Sequence, residues 1–404
     1  MTGKDHFDQY YQRRGTNSLK WDFCEEVFGR EDILPMWVAD ADWPTAAPVV
    51  RALKERVEDG ILGYTGPSRE HDQAIVDWLK QRFNWSIDPE WIVYTSGLVP
   101  SLHLAVRIFT HPGDEVLLQS PVYPPFFSVI RDQGAQLLNN RLLVKDGGYH
   151  MDYDGLEAIL EGPRTKFQGP QRTRMLILCS PHNPVGRVWS KEELERLASI
   201  CIKNRVLVVS DEIHCDLLFS GERHYPYSSL SEEIAQFSIT MMAPSKTFNI
   251  AGLKSGLVII PNPELRKSFA RAASTMLGRG NILGLTALRA AYSQGGEWLE
   301  GQMEYLEENR DYALKYVAER IPGVKAYKPE GTYLLWLDFN ALGLDDQALL
   351  RLMVEEAGVG PDPGLWFGPG GEGFIRLNFA CPRRLLSRGL EQIAAAVCAL
   401  KNSK

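Results

Sequence analysis

Between residues 91 and 260 the chain repeats one arrangement: a short, mostly apolar run, a turn, then a stretch with helical spacing of its apolar positions. The runs are Trp91–Thr95, Glu115–Gln119, Arg174–Cys179, Val206–Ser210, Ser238–Met242 and Gly256–Ile260. Helical patterns follow at Pro100–Phe109, at about Phe126–Gln133 and from Ser190. Ser190 and Glu193 have capping-box spacing, and Leu194, Leu197, Ala198 and Cys201 make the apolar stripe of the helix they open. A run such as Val206–Ser210, apolar at successive positions, suits a strand covered on both faces. Alternating with helices, such runs predict βαβ units, hence an α/β fold whose mostly parallel sheet carries helices on both sides.

The pattern changes near Gly284. A long charged helix (Gly296–Arg320) leads to two strand runs, "GTYLLWLDF" and "GFIRLNFA", and a closing helix near Leu386–Leu400. This predicts a second, smaller α+β domain joined by the N-terminal segment. The expected division is 51–285 for the large domain and 1–50 plus 286–404 for the small one, in keeping with roughly 150 residues per domain for a chain of 404.

Composition narrows the function. A formal net charge of −7 without a basic block gives no footprint for nucleic acid. No uncharged apolar run approaches the ~20 residues of a membrane helix, and "MTGKDHFDQYYQRRG" lacks the apolar centre of a signal peptide. Six scattered cysteines without CxxC spacing fit buried free thiols in a reducing compartment, so a cytoplasmic location is expected. No HxxxH pair points to a metal.

Ligands of open α/β sheets sit past the carboxyl ends of the strands. After Trp91–Thr95 comes "SGLVPS", a glycine turn feeding a helix N-terminus, whose free N–H groups suit a phosphate. After Glu115–Gln119 comes "SPVYPPFF", with Tyr123 in a proline-stiffened loop that offers a flat face. "SPHNPVG" holds Asn183 between prolines, and "DEIHCD" puts Asp211 at the end of an apolar strand, where an unpaired carboxylate is expensive, with His214 beyond it. After Ser238–Met242, "APSKTFNIAG" carries Lys246, a cation between apolar runs that must desolvate, pair or serve as an amine. Singly, each has an ordinary structural explanation. Together they describe a pocket for a planar, phosphorylated, cationic heteroaromatic aldehyde. Pyridoxal 5'-phosphate meets every requirement, with Lys246 for its aldehyde and a carboxylate for its ring nitrogen.

"SPHNPVGRVW", "SDEIHCDLLF" and "APSKTFNIAGLK" resemble the fold-type I pyridoxal-phosphate enzymes, and within them the branch of cystathionine β-lyases and related cysteine C–S lyases on the class I/II aminotransferase fold. "RRGTNSLKWD", "MWVADADWP" and "GEGFIRLNFACPR" are similar to the same branch, so the likeness runs from about Arg13 to Pro382. It implies a doubly wound, seven-stranded type of sheet in the large domain. It implies that Lys246 binds the cofactor covalently and acts in catalysis, that Asp211 pairs with the pyridine nitrogen, and that Tyr123 stacks on the ring. Asn183 and His214 would lie near the phenolic oxygen; backbone amides of Gly97, Leu98 and Val99, with Ser245, would hold the phosphate.

Lys254 stands on that side where an arginine is frequent in the family, and Ala243 where a serine is common. Tyr64 in "LGYTGP" would reach the site of a neighbouring subunit, which implies a homodimer with shared sites. Arg376 would fork onto the substrate carboxylate; its alternative is an interior ion pair. Asp40 and Trp43, in "ADADW", would line the substrate side, where Ala41 and Trp43 replace the family's usual Met and Phe.

The implied activity is α,β-elimination of L-cystathionine or another cysteine S-conjugate to pyruvate, ammonia and a thiol. An aminotransferase on the same fold shares the first proton abstraction. A non-catalytic pyridoxal-phosphate regulator would need an output module, and no basic helix-turn-helix pattern precedes Arg13 or follows Leu400. "GPGGEG" (368–373) precedes a strand rather than following one, so it is no dinucleotide fingerprint.

Overall fold

The computed structural model describes residues 4–162 and 173–402; the domain spans expected above also cover 1–3, 163–172 and 403–404, which lie outside them. The six apolar runs all form strands, and a seventh joins them. Numbering the strands of the two larger sheets in chain order, the first sheet comprises β1 (Ile92–Thr95), β2 (Glu115–Leu118), β3 (Gln136–Asn139), β4 (Thr173–Cys179), β5 (Leu207–Asp211), β6 (Ser238–Met242) and β7 (Gly256–Ile259). Their order is β1-β7-β6-β5-β4-β2-β3. From β6 to β3 all neighbours are parallel, and β7 runs antiparallel to both of its neighbours. β3 escaped the sequence pattern because it is an edge strand with polar ends, Gln136 and Asn139.

Helices cover both faces. One apolar layer joins Leu102 and Val106 of the helix Leu98–Phe109 to Phe126, Ile130 and Phe269; the other joins Leu156 and Leu160 to Leu194, Leu197 and Cys201. Burying each such leucine contributes roughly 1.5–3 kcal/mol, so these layers outweigh any single polar contact in holding the sheet. The Ser190 capping box forms: Ser190 Oγ accepts the Glu193 N–H at 3.2 Å, and the Glu193 carboxylate accepts the Ser190 N–H at 2.9 Å.

A second, antiparallel sheet contains β8 (Lys325–Tyr327), β9 (Leu334–Asp338), β10 (Asp362–Pro363) and β11 (Phe374–Asn378), in the order β8-β9-β11-β10. The helices Gly296–Arg320 and Arg383–Asn402 pack together beside it. The N-terminal segment joins this part, where Leu34–Pro35 pairs in parallel with Val359–Gly360. No helix among the described residues is long and apolar enough to cross a membrane.

Candidate active site

The carboxyl ends of β4, β5 and β6 open on a cavity of about 430 Å³, closed from the other side by Trp37–Ala39 and by Asp362 and Arg376 of the second sheet. That volume suits a small cofactor or ligand.

One wall is the turn after β1. Gly97 has φ 146°, which favours glycine, and Leu98 then opens a helix of 12 residues whose first N–H groups have no intrahelical acceptor. Gly256 on β7 lets that turn come close, since a Cβ there would sit 2.7 Å from Thr95 Oγ1. Gly97, Leu98 and Val99 line the cavity, as do Ser245 and Lys254 across it. Ser96 and Ser255 also line it. Ser255 Oγ is buried with no hydrogen-bond partner among the described residues, a hydroxyl free to meet an anion at this helix terminus.

Asp211 ends β5 in register with Cys179 of β4 and Met241 of β6. It is 5% exposed, and Oδ1 accepts the Ile213 N–H at 3.1 Å. No cation pairs with it among the described residues. Burial therefore pushes its carboxyl up to about 7, against the lowering effect of that N–H, with Glu212 raising it further and Lys246 lowering it. A buried carboxylate left this way is a receptor for a cationic group.

Lys246 stands on the turn Pro244–Thr247 that leaves β6. Its Nζ donates to the Ala39 carbonyl at 2.7 Å, an acceptor it shares with Tyr333 Oη at 3.0 Å. Desolvation lowers its ammonium to about 8; Asp40 opposes this, Arg376 adds to it, Asp211 opposes it and Lys254 adds to it. The position of Ala39 is fixed from behind. Arg13 forks onto Asp40 (2.8 and 2.9 Å) and reaches Asp42 (2.8 Å), Lys20 pairs with Asp42 (2.7 Å), and Asn378 donates to the carbonyls of Val38 and Asp40 (2.7 and 2.6 Å).

His214 is buried on the cavity wall, its Nδ1 without a partner among the described residues and its ring edge-on to Tyr333 at 6.1 Å. Burial, then Lys246 and Arg376, hold it well below its ordinary value, so it is a neutral imidazole. Tyr123 lines the cavity, and burial and Asp211 raise its hydroxyl. Asn183 Oδ1 accepts from Arg376 Nη1 at 2.8 Å. Arg376 also donates to the Trp37 carbonyl at 3.1 Å, pairs with Asp362, and lies 4.9 Å over the Phe367 ring. Arg376 thus lines the cavity and is also ion-paired, the arrangement of the interior-pair alternative.

Three expected residues lie elsewhere. Trp43 does not line the cavity: it is 2% exposed among Phe7 and Tyr305, because its indole fills that core and Nε1 donates to Gln302 at 3.0 Å. Asp40 is likewise outside the lining; Arg13 occupies its carboxylate, and it acts on Lys246 only through charge. Tyr64 is fully exposed on a segment that is neither helix nor strand. Asp362, Trp366, Trp37 and Ser255 line the cavity without having been singled out from the sequence.

These residues fit pyridoxal phosphate. The orphaned Ser255 hydroxyl and the free N–H groups suit its phosphate, the unpaired Asp211 its ring nitrogen, and Lys246 its aldehyde. Comparison with known proteins gives the same answer. The family model for aminotransferase class I and II matches residues 39–393. The chain is 45% identical to the cystathionine β-lyase PatB of Bacillus subtilis over 97% of its own length and all of that protein. Its fold superposes on cystalysin from Treponema denticola, which contains a pyridoxal 5'-phosphate cofactor, with a TM-score of 0.92 at 37% identity, covering 98% of this chain and 99% of the other. It superposes on the pyridoxal-phosphate-bound C–S lyase from Staphylococcus hominis with a TM-score of 0.89 at 33% identity, covering 97% of each. The likeness spans both sheets and the cavity between them, and this chain belongs to the class I and II aminotransferase family.

Proposed function

We propose that the protein is a pyridoxal-phosphate-dependent carbon–sulfur lyase that breaks the Cβ–S bond of an L-cysteine conjugate such as cystathionine, consuming one water and giving pyruvate, ammonia and a thiol. One observation carries the chemistry: a buried, unpaired Asp211 and a Lys246 amine of lowered basicity meet in one cavity, facing an arginine from the other sheet. The lyase outcome rests on the relatives, cystathionine β-lyase and C–S lyase by name, rather than on geometry alone.

The cofactor, when bound, supplies an electron sink for the electron pair left at the substrate Cα. Asp211 would place a negative charge by the ring nitrogen and keep it protonated. Arg376 binds the substrate carboxylate and so orients the Cα–H bond. With its ammonium lowered to about 8, Lys246 carries a sizeable share of free base near neutral pH and takes the α-proton at Nζ. The same nitrogen then hands that proton to the departing sulfur. With the cofactor bound, Tyr123 would cover one face of the ring, Asn183 and His214 would stand by its oxygen, and Gly97, Leu98, Val99, Ser245 and Lys254 would hold the phosphate.

The large unit at 51–285 carries the cofactor in this reading, and 1–50 with 286–404 closes over it. A homodimer with shared sites is supported by the exposed apolar segment around Tyr64, where Val57, Ile61 and Leu62 are also exposed. A cytoplasmic location is supported by the cysteines, which are all free, five of them buried.

The test is incubation of purified protein and cofactor with L-cystathionine in the absence of any keto acid. Stoichiometric pyruvate and thiol are expected. Product formation only when a keto acid is added would replace the lyase reading with transamination, and a bound cofactor without turnover on any cysteine thioether would replace it with a regulator.

A further inference from the structure

Asp362 and Arg376 sit directly opposite each other on β10 and β11, so register alone puts both side chains on one face. Both are 5% exposed, both line the cavity, and they form an ion pair. Asn183 Oδ1 and the Trp37 carbonyl take two further donors of the guanidinium, while Nε is buried without an acceptor among the described residues. The arginine assigned to the substrate carboxylate therefore already holds a carboxylate of the protein's own.

We propose that Asp362 is a built-in competitor for the substrate carboxylate: it occupies Arg376 between turnovers, keeps small anions off it, and gives way only to a carboxylate carried on an amino-acid substrate. This rests on the reading of Arg376 given above.

A bare guanidinium in a cavity binds acetate, inorganic anions and the keto-acid product alike. An acceptor fixed on the adjacent strand opposes them at a high effective concentration. A substrate anchored also through its amino group meets that competition on equal terms, whereas a free anion does not. When the substrate carboxylate arrives, two carboxylates cannot both stay ionised on one guanidinium. Asp362 then leaves with a proton taken from solvent. Burial already pushes it up to about 6, against the lowering effects of Arg376 and Lys246. Asp362 in turn raises the Tyr123 hydroxyl, so Tyr123 stays neutral, as does His214, which faces Arg376; Asp211 is the other carboxyl of the cavity.

The experiment uses cofactor-loaded protein and calorimetric titration with acetate at pH 8. Asp362→Asn is expected to bind acetate at least about tenfold more tightly than the unmodified protein. The unmodified protein should itself bind acetate about tenfold more tightly at pH 5.5 than at pH 8, a comparison that needs no variant to fold. Titration with L-alanine at pH 8 in two buffers of different protonation enthalpy should show about one more proton taken up by the unmodified protein than by Asp362→Asn. Unchanged acetate affinity in both comparisons, or equal proton uptake, overturns the proposal. Arg376→Lys separates the two readings. If it raises KM for a cysteine conjugate while the Asp362 results fail, only this inference falls. If it leaves KM unchanged, the assignment of Arg376 falls and takes this inference with it.

Discussion

The Asp211 carboxylate closes β5 beside Met241 of β6, and Lys246 stands on the turn by which the chain leaves that second strand. Each acts on the other's charge: Lys246 lowers the carboxyl and Asp211 raises the ammonium, but burial outweighs both effects. The fold thus holds a carboxylate and an amine whose charges are underpaid by their surroundings, and this has a measurable cost.

Asp211→Asn should separate stability from function. With its folded value raised from 3.8 to about 7, Asp211 ionises in the unfolded chain first, so its cost to folding grows between about pH 4 and pH 7 and is constant above. Cofactor-free Asp211→Asn should therefore melt several degrees higher than the unmodified protein at pH 8 and at nearly the same temperature at pH 4. With cofactor, turnover should drop by at least a thousandfold, about 4 kcal/mol of barrier. A loss of less than tenfold, ~1.4 kcal/mol, would remove the role of Asp211 at the ring nitrogen.

Lys246 should declare itself in the pH dependence of cofactor capture. Only the neutral amine attacks an aldehyde, and a group lowered from 10.5 to about 8 becomes neutral as pH rises through 8. The rate at which cofactor-free protein develops its visible absorbance should climb up to about pH 8 and then level off, where an ordinary lysine would keep gaining beyond pH 10. Lys246→Ala should develop no such band and show no turnover.

How much of this was legible in the sequence follows from which residues carry their meaning locally. β4, β5 and β6 were readable because strands buried on both faces are apolar runs, and Asp211 and Lys246 because charge at the end of such a run is costly. Ser255 and Asp362 gave no signal: a serine and an aspartate in loop-like sequence are ordinary, and only the packing of β7 and β10 against the cavity makes them lining residues. The direction of β7 was equally hidden. Residues 243–255 stay at the carboxyl end of the sheet, lining the cavity with Ser245, Lys246 and Lys254, so the chain re-enters antiparallel instead of crossing over. Trp43 was misplaced because a motif fixes the backbone of "ADADW" but not where an indole finds room, and Gln302 with Phe7 draws it into the core.

Ser255→Ala should act on the cofactor alone. Its hydroxyl has no partner to lose among the described residues, so the melting temperature of cofactor-free protein should not fall. Loss of one hydrogen bond to a charged phosphate is worth about 1.5 kcal/mol or more, which predicts at least roughly tenfold weaker cofactor binding by equilibrium titration. Lys254→Ala, which removes a charge from the same wall, should weaken binding more and make it less sensitive to salt.

Tyr64 offers the sharpest test of shared sites. It is fully exposed near the exposed Val57, Ile61 and Leu62 and does not line the cavity of its own chain. If it completes the site of a second copy, Tyr64→Ala should lose activity while keeping its own Lys246 intact, and Lys246→Ala should lose activity while keeping Tyr64. Mixed in equal amounts, unfolded and refolded together, the two inactive variants pair at random. About half of the dimers then carry one of each chain, and one of the two sites in such a dimer has both residues. Activity should return to about a quarter of that of the unmodified protein, measured as pyruvate release. No recovery, with dimers formed normally by size-exclusion chromatography, would confine the effect of Tyr64 to its own chain and remove the shared site.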